Sequence, residues 1–155
     1  MTMTTAVQKF LAKNGVAYDV VPHRMTSTSM NSAQTAHVRG EMLAKPVILE
    51  DELGYLMAIV PATKRVKIGK LNRILDRHMG LTTESELKDL FFDCSTGAIP
   101  PIGPAYNMQS IIDEDLLHCS DIYFEAGNHQ ELIHIKGKDF QQLMKGAPHS
   151  SISLH

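Results

Sequence analysis

Three places in this 155-residue sequence hold residue types that could do chemistry. Lys45 begins the apolar stretch LAKPVIL at 43–49, where burying an ammonium without a partner is costly. It either snorkels at a strand edge or takes part in a catalysis that no local motif announces. The stretch TGAIPPIGP at 96–104 holds Gly97, Pro100, Pro101, Gly103 and Pro104. Proline fixes φ and has no N–H to donate, while glycine allows φ > 0, so the stretch is a shaped loop and neither a helix nor a central strand. Residues before proline are pushed towards extended geometry, which leaves the backbone N–H groups of Gly97, Ala98 and Ile99 for a ligand, unless the loop is only a rigid connector. His129, in EAGNHQELIHI, follows Gly127 between two predicted strands. A side chain on such a loop points into a pocket or stands in solvent.

Familiar catalytic motifs are absent. The sequence has no GxSxG elbow, Walker loop or GxGxxG, which removes most support for acyl-enzyme hydrolases, phosphate-loop enzymes and dinucleotide enzymes. Its histidines, at 23, 37, 78, 118, 129, 134, 149 and 155, include no HxxxH pair and no cysteine at zinc-ligand spacing, so neither a metal nor a cofactor is expected. Cys94 and Cys119 read as structural thiols.

The length suits one domain, residues 1–155, and 43% hydrophobic with 21% charged residues suits a globular core. No apolar run approaches the roughly 18 residues that span a bilayer. The start, MTMTTAVQKF, lacks a cationic segment before an apolar one, so the expectation is a cytoplasmic protein with no membrane partner. A net charge of −2 argues against a chain that coats DNA or other nucleic acid indiscriminately. Local charge differs: in KRVKIGKLNRILDR, Lys64, Arg65, Lys67, Lys70, Arg73 and Arg77 face one acid, Asp76. Lys70, Arg73 and Arg77 would share a helix face, either solvated or in contact with phosphates.

These residues need elements to position them. Val7, Phe10 and Leu11 have helical spacing, with Thr4 or Thr5 as N-cap and Gly15 as stop. VAYDVVPH reads as a strand, and TSTSMNSAQTAHVRG as capping hydroxyls before a short helix that Gly40 ends. Two apolar strands flank EDELG as a hairpin, both with covered faces; the basic helix near 67–77 and one at TTESELKDLFF follow, the latter with Thr83 and Glu86 as a capping box. MQSII, DIYFEAG and ELIHIKG read as strands, KDFQQLMKG as a closing helix, and 146–155 as a loose tail. This order predicts an α+β or mixed-sheet domain.

Taken together, LAKPVIL, GYLMAIVPATKRVKIGKLNRIL, TGAIPPIGP and YFEAGNHQEL resemble the YbaK/prolyl-tRNA synthetase associated domain family in order and spacing, from about residue 6 to 145. The resemblance implies an α+β fold with a mixed, partly barrel-like sheet surrounded by helices. It also implies a trans-editing deacylase that hydrolyses the ester between a wrongly attached small amino acid and the terminal adenosine of a tRNA, with no metal and no covalent intermediate. Partners would be the acceptor end of an aminoacyl-tRNA and, as a further candidate, a synthetase. By resemblance Lys45 holds the tRNA end, and Gly97, Ala98, Ile99, Pro100 and Pro101 wall the pocket. Thr26, Ser27, Thr28, Ser29 and Met30 border the aminoacyl side chain, and His129 stands where some members carry a GxH element. Pro46 occupies the place where alanine-specific members tend to have Asn, and the glycine-lysine pair of the cysteine-specific branch is missing. Lys64, Arg65, Lys67, Lys70 and Arg73 are the candidate contacts to the tRNA backbone. The rival reading is a non-catalytic module that holds an aminoacyl-adenosine, amino acid or nucleotide.

Overall fold

A computed structural model describes residues 4–23, 38–95 and 97–154. Helix α1, Thr5–Lys13, is capped by Thr4, whose Oγ1 accepts the Val7 N–H at 3.2 Å. Its buried residues, Val7 and Leu11, are one helical turn apart, so one face of α1 enters the core. Gly15, at φ +66°, lets the chain turn back into strand β1, Asp19–Pro22. The helix expected before Gly40 lies outside the described residues. Gly40 itself opens a 3₁₀ turn, Gly40–Met42.

Strands β2, Ala44–Asp51, and β3, Gly54–Pro61, form the expected hairpin, in register from Ala44 opposite Pro61 to Asp51 opposite Gly54. Asp51 Oδ1 accepts the Leu53 N–H at 2.9 Å and so fixes the turn. The last six residues of β3 are buried, as the apolar run predicts. Lys45, Pro46 and Val47 are only half-buried, so the start of β2 departs from the expectation of two covered faces.

Short strand β4, Arg65–Val66, leads into helix α2, Ile68–Leu75, and β5, Gly80–Leu81, into α3, Glu84–Leu90. Thr83 caps α3 as predicted: its Oγ1 accepts the Glu86 N–H at 3.2 Å and donates to Glu86 Oε1 at 3.0 Å. A 3₁₀ turn at Gly103–Tyr106 precedes β6, Ser110–Asp113, and a one-turn helix α4, Glu114–Leu117. Strands β7, Asp121–Glu125, and β8, Glu131–Lys136, then pass into α5, Gly137–Leu143, with β9, His149–Ser150, and β10, Ser153–Leu154, at the end.

The five-stranded sheet has the order β5-β2-β3-β6-β9, a second has β1-β8-β7, and β10 pairs with β4. The pairs β3 with β6 and β6 with β9 are parallel and the remaining ladders antiparallel, which makes the architecture mixed α+β. The partly barrel-like closure is corrected: among the described residues the sheets stay open, and in the five-stranded sheet the two-residue strands β5 and β9 end the hydrogen bonding at both margins. A parallel bridge between Leu43 and Tyr123 brings the start of β2 beside β7.

The loose tail is also corrected. Ile152 is fully buried, its N–H donates to Asp113 Oδ1 at 2.9 Å, and its carbonyl accepts the Lys67 N–H at 2.7 Å. Two aliphatic residues, Ile152 and Leu154, among Ser and His residues carry little sequence signal, but burying Ile152 contributes about 1.5–3 kcal/mol. The main core joins α1, α3 and α5 to the sheets through Leu11, Met57, Ile59, Phe91, Phe124 and Phe140.

Candidate functional site

Lys45 sits opposite Val60 in the hairpin, half-buried, with Nζ donating to the Ala62 carbonyl at 3.3 Å. Burial, and secondarily the nearby Arg65 guanidinium, push its pKa below the ordinary lysine range. A cation held partly out of water has less solvation to lose when an anion arrives.

The Gly/Pro loop is packed into the protein. Ala98 through Gly103 are buried, which sets it apart from a solvent-exposed connector. Gly97 has φ +81°, a conformation that favours glycine. Gly103 is needed for space, since a Cβ there would lie 1.9 Å from Ser110 Oγ and 2.7 Å from the Met108 carbonyl. One expectation fails: the Ala98 N–H donates to the Ser95 carbonyl at 3.0 Å and closes the turn around Gly97, so that amide is committed. Between α3 and this loop lies a cleft lined by Leu87, Phe91, Cys94, Ser95, Gly97 and Ile99. Burial pushes the Cys94 thiol up to about 12, which suits the reading of a structural thiol.

Just before Gly97, the Ser95 N–H donates to the Gly127 carbonyl at 2.7 Å and so ties this loop to the one carrying His129. His129 is 4% exposed and has φ +58°, so the solvent-facing alternative does not hold. Several bonds hold this left-handed residue. Asn128, fully buried, accepts the N–H groups of Gln130 and Glu131 on its Oδ1 at 2.9 and 3.1 Å and donates to Glu131 Oε1 at 2.9 Å. The Ala126 carbonyl accepts the Thr4 N–H at 3.0 Å, and the Gln130 carbonyl accepts the His23 N–H at 2.8 Å. Backbone strain of this kind persists where the surroundings over-determine it, and it clusters at functional sites.

Sequence reasoning missed Glu125 and His23. The Glu125 carboxylate lies between His129 Nδ1, at 3.8 Å, and His23 Nε2, at 3.9 Å, with all three side chains nearly dry. The one available signal was an acid inside the apolar strand YFEAG. Thr26, Ser27, Thr28, Ser29 and Met30 lie outside the described residues. The flanking residues bracket the site: His23 bonds to the His129 loop, and Val38 packs with Leu43, Ala62 and Leu132 next to the start of β2.

The basic stretch divides. Arg65, Lys67 and Arg73 are exposed and Lys70 is half-buried. Lys64 is salt-bridged to Asp115, which separates it from the other candidates. Arg77 leaves the expected helix face because α2 ends at Leu75 with Asp76 left-handed. Its Nε donates to Asp51 Oδ2 at 2.8 Å and its Nη2 to Asp51 Oδ1, a forked pair that pins the β2–β3 turn.

This fold and these loops have relatives. The aminoacyl-tRNA editing domain family matches residues 23–143. The chain belongs to that family, whose work implies an aminoacyl-tRNA as ligand. No curated protein matches the chain. Among solved structures, the hypothetical protein APE2540 superposes with a TM-score of 0.84 at 20% identity, over 96% of this chain and 99% of that one. A candidate trans-editing enzyme for prolyl-tRNA synthetase gives 0.81 at 22% identity, over 99% and 100%. A candidate signal-transduction protein from Marinobacter aquaeolei VT8 gives 0.81 at 17% identity, over 99% of this chain and 31% of that longer one. At these identities the likeness shows the fold. No helix among the described residues is long and apolar enough to cross a membrane.

Proposed function

We propose that this chain is a trans-editing aminoacyl-tRNA deacylase that hydrolyses the ester of a tRNA mischarged with a small amino acid. The observation that carries the reading is the Ser95–Gly127 hydrogen bond, which joins the buried Gly/Pro wall to the strained loop bearing His129. The family match and the fold shared with the candidate trans-editing enzyme support the reaction class.

In this reading the Lys45 ammonium holds a phosphate or ester oxygen of the terminal adenosine. The Gly97 and Ile99 amides are the candidate donors to the developing oxyanion, and such fixed donors need no reorganisation during the reaction. A water positioned by the loops and the ribose hydroxyl attacks the carbonyl carbon. The bond from that carbon to the ribose oxygen breaks, the ribose oxygen takes up a proton, and the free amino acid leaves. An activated ester needs only positioning and modest charge stabilisation, so neither a metal nor a protein nucleophile is required. His129, Pro100 and Pro101 border the aminoacyl side chain in this reading. A small pocket of this kind supplies the second sieve that a synthetase needs, because one methylene gives it only about 1–3 kcal/mol of discrimination. Arg65, Lys67, Lys70 and Arg73 would contact acceptor-stem phosphates.

The test is amino-acid release from tRNAs charged with Ala, Ser, Thr, Cys and Pro, by wild type and Lys45→Ala. Rapid release from one or two of these, lost in the variant, is the expected result. Tight binding of an aminoacyl-adenosine analogue with no release from any of them would instead identify a binding module.

A further inference from the structure

The two loops of the site are joined a second time, through a residue far from both in sequence. Thr4, 3% exposed, donates its N–H to the Ala126 carbonyl at 3.0 Å, and its Oγ1 lies 3.4 Å from the Tyr106 hydroxyl. Tyr106 closes the 3₁₀ turn that follows the Gly/Pro loop, stacks edge-on against Phe91 with ring centroids 4.8 Å apart, and has its hydroxyl 3.5 Å from Cys94 Sγ. On the other side Gly127, at φ +100°, packs so closely on Thr4 that a Cβ there would lie 2.2 Å from Thr4 Cγ2. One side chain therefore touches the His129 loop through its methyl and the end of the Gly/Pro segment through its hydroxyl. That hydroxyl also caps α1.

We propose that Thr4 is a positioning residue for the deacylation reaction, clamping the 126–130 loop to the Gly/Pro segment so that His129 and the Gly97 turn keep a fixed separation. The proposal rests on the editing reading given above. A helix cap needs only an oxygen or a bare glycine, so capping alone does not call for a buried methyl against Gly127 and a hydroxyl towards Tyr106. Misplacement by about 1 Å of groups that orient a reaction can cost about a hundredfold in rate.

The experiment compares Thr4→Gly, Thr4→Ser and Tyr106→Phe with wild type by two measurements. Amide hydrogen exchange at Ser95 and Ala126 reads the clamp itself, whether or not the protein is a deacylase. Single-turnover release of amino acid from charged tRNA, with KM measured separately, reads the reaction. Thr4→Gly keeps a tolerated N-cap. It should exchange faster at both amides and lose about 10- to 100-fold in kcat, with KM within about twofold. Thr4→Ser should recover kcat to within about threefold, and Tyr106→Phe should fall between the two. Unchanged exchange in Thr4→Gly overturns the clamp, and faster exchange with wild-type kcat overturns the positioning role. No release by wild type from any charged tRNA counts against the editing reading, and the exchange data then still decide the clamp.

Discussion

Lys45 Nζ donates to the Ala62 carbonyl at 3.3 Å, so the one cation of the LAKPVIL stretch is anchored to the residue just past the far strand of its own hairpin. The ammonium therefore has a defined direction before any ligand arrives, at a half-buried position that lowers its pKa. If the charged form holds the substrate, Lys45→Ala should reduce deacylation about 10²-fold or more. Activity of wild type should also turn down, as pH rises, before the ordinary lysine value of 10.5. Removing the neighbouring like charge with Arg65→Ser should move that alkaline limb upward. The check is a kcat/KM profile corrected for spontaneous ester hydrolysis.

Gly97→Val puts a β-branched residue at φ +81°, where strain of about 1–3 kcal/mol is expected. The turn closed by Ala98 and Ser95 should open before the core does. Release of amino acid should fall by roughly tenfold or more while the melting transition remains cooperative. Circular dichroism melting alongside the deacylation assay separates the two effects.

Charge reversal should sort the basic residues. Lys70→Glu and Arg73→Glu should weaken tRNA binding and lower the slope of log affinity against log salt by about one per lost phosphate contact. Lys64→Ala, which removes a residue already paired with Asp115, should leave that slope unchanged. Filter binding over a salt series gives both results.

Arg77, hydrogen-bonded to Asp51, holds that carboxylate down at about 2, with the Leu53 N–H adding to the effect. A depressed carboxylate contributes stability above its unfolded value, 3.8, and loses that contribution as pH falls through about 2. Wild type should therefore lose stability between these two values. Asp51→Asn should start lower and show a flatter dependence over the same interval, measured by urea unfolding at a series of pH values.

Ile152→Ala should destabilise the protein by about 2–5 kcal/mol, the range for truncating a buried aliphatic side chain. A shift of the urea midpoint with an unchanged slope would bear this out. Wild-type stability would return the tail to the loose state that its composition suggests.

What the sequence determined by itself was local. An N-cap at Thr4 or Thr5, Thr83 as a cap, Gly15 just past the end of the first helix and the Asp51–Gly54 turn all follow from residues within a few positions of one another, whereas the closing helix ends at Leu143, three residues before the expected stop at Gly146. Hydrogen bonds over three or four residues and fixed φ values do not depend on the rest of the chain. The order of strands and helices was legible for the same reason, since hydrophobic periodicity acts within each element. Resemblance supplied the family. Only the tertiary structure decided which strands lie parallel, that Ile152 is core, that Lys64 and Arg77 belong to Asp115 and Asp51, and that Glu125 stands between His23 and His129. It also committed the Ala98 amide to Ser95 and joined Ser95 to Gly127. Except for the Ala98 turn and the i to i+4 approach of His129 to Glu125, these contacts join residues far apart along the chain. No spacing rule reaches that far; such pairs exist only once the core has packed and brought distant backbone and side chains within hydrogen-bonding distance.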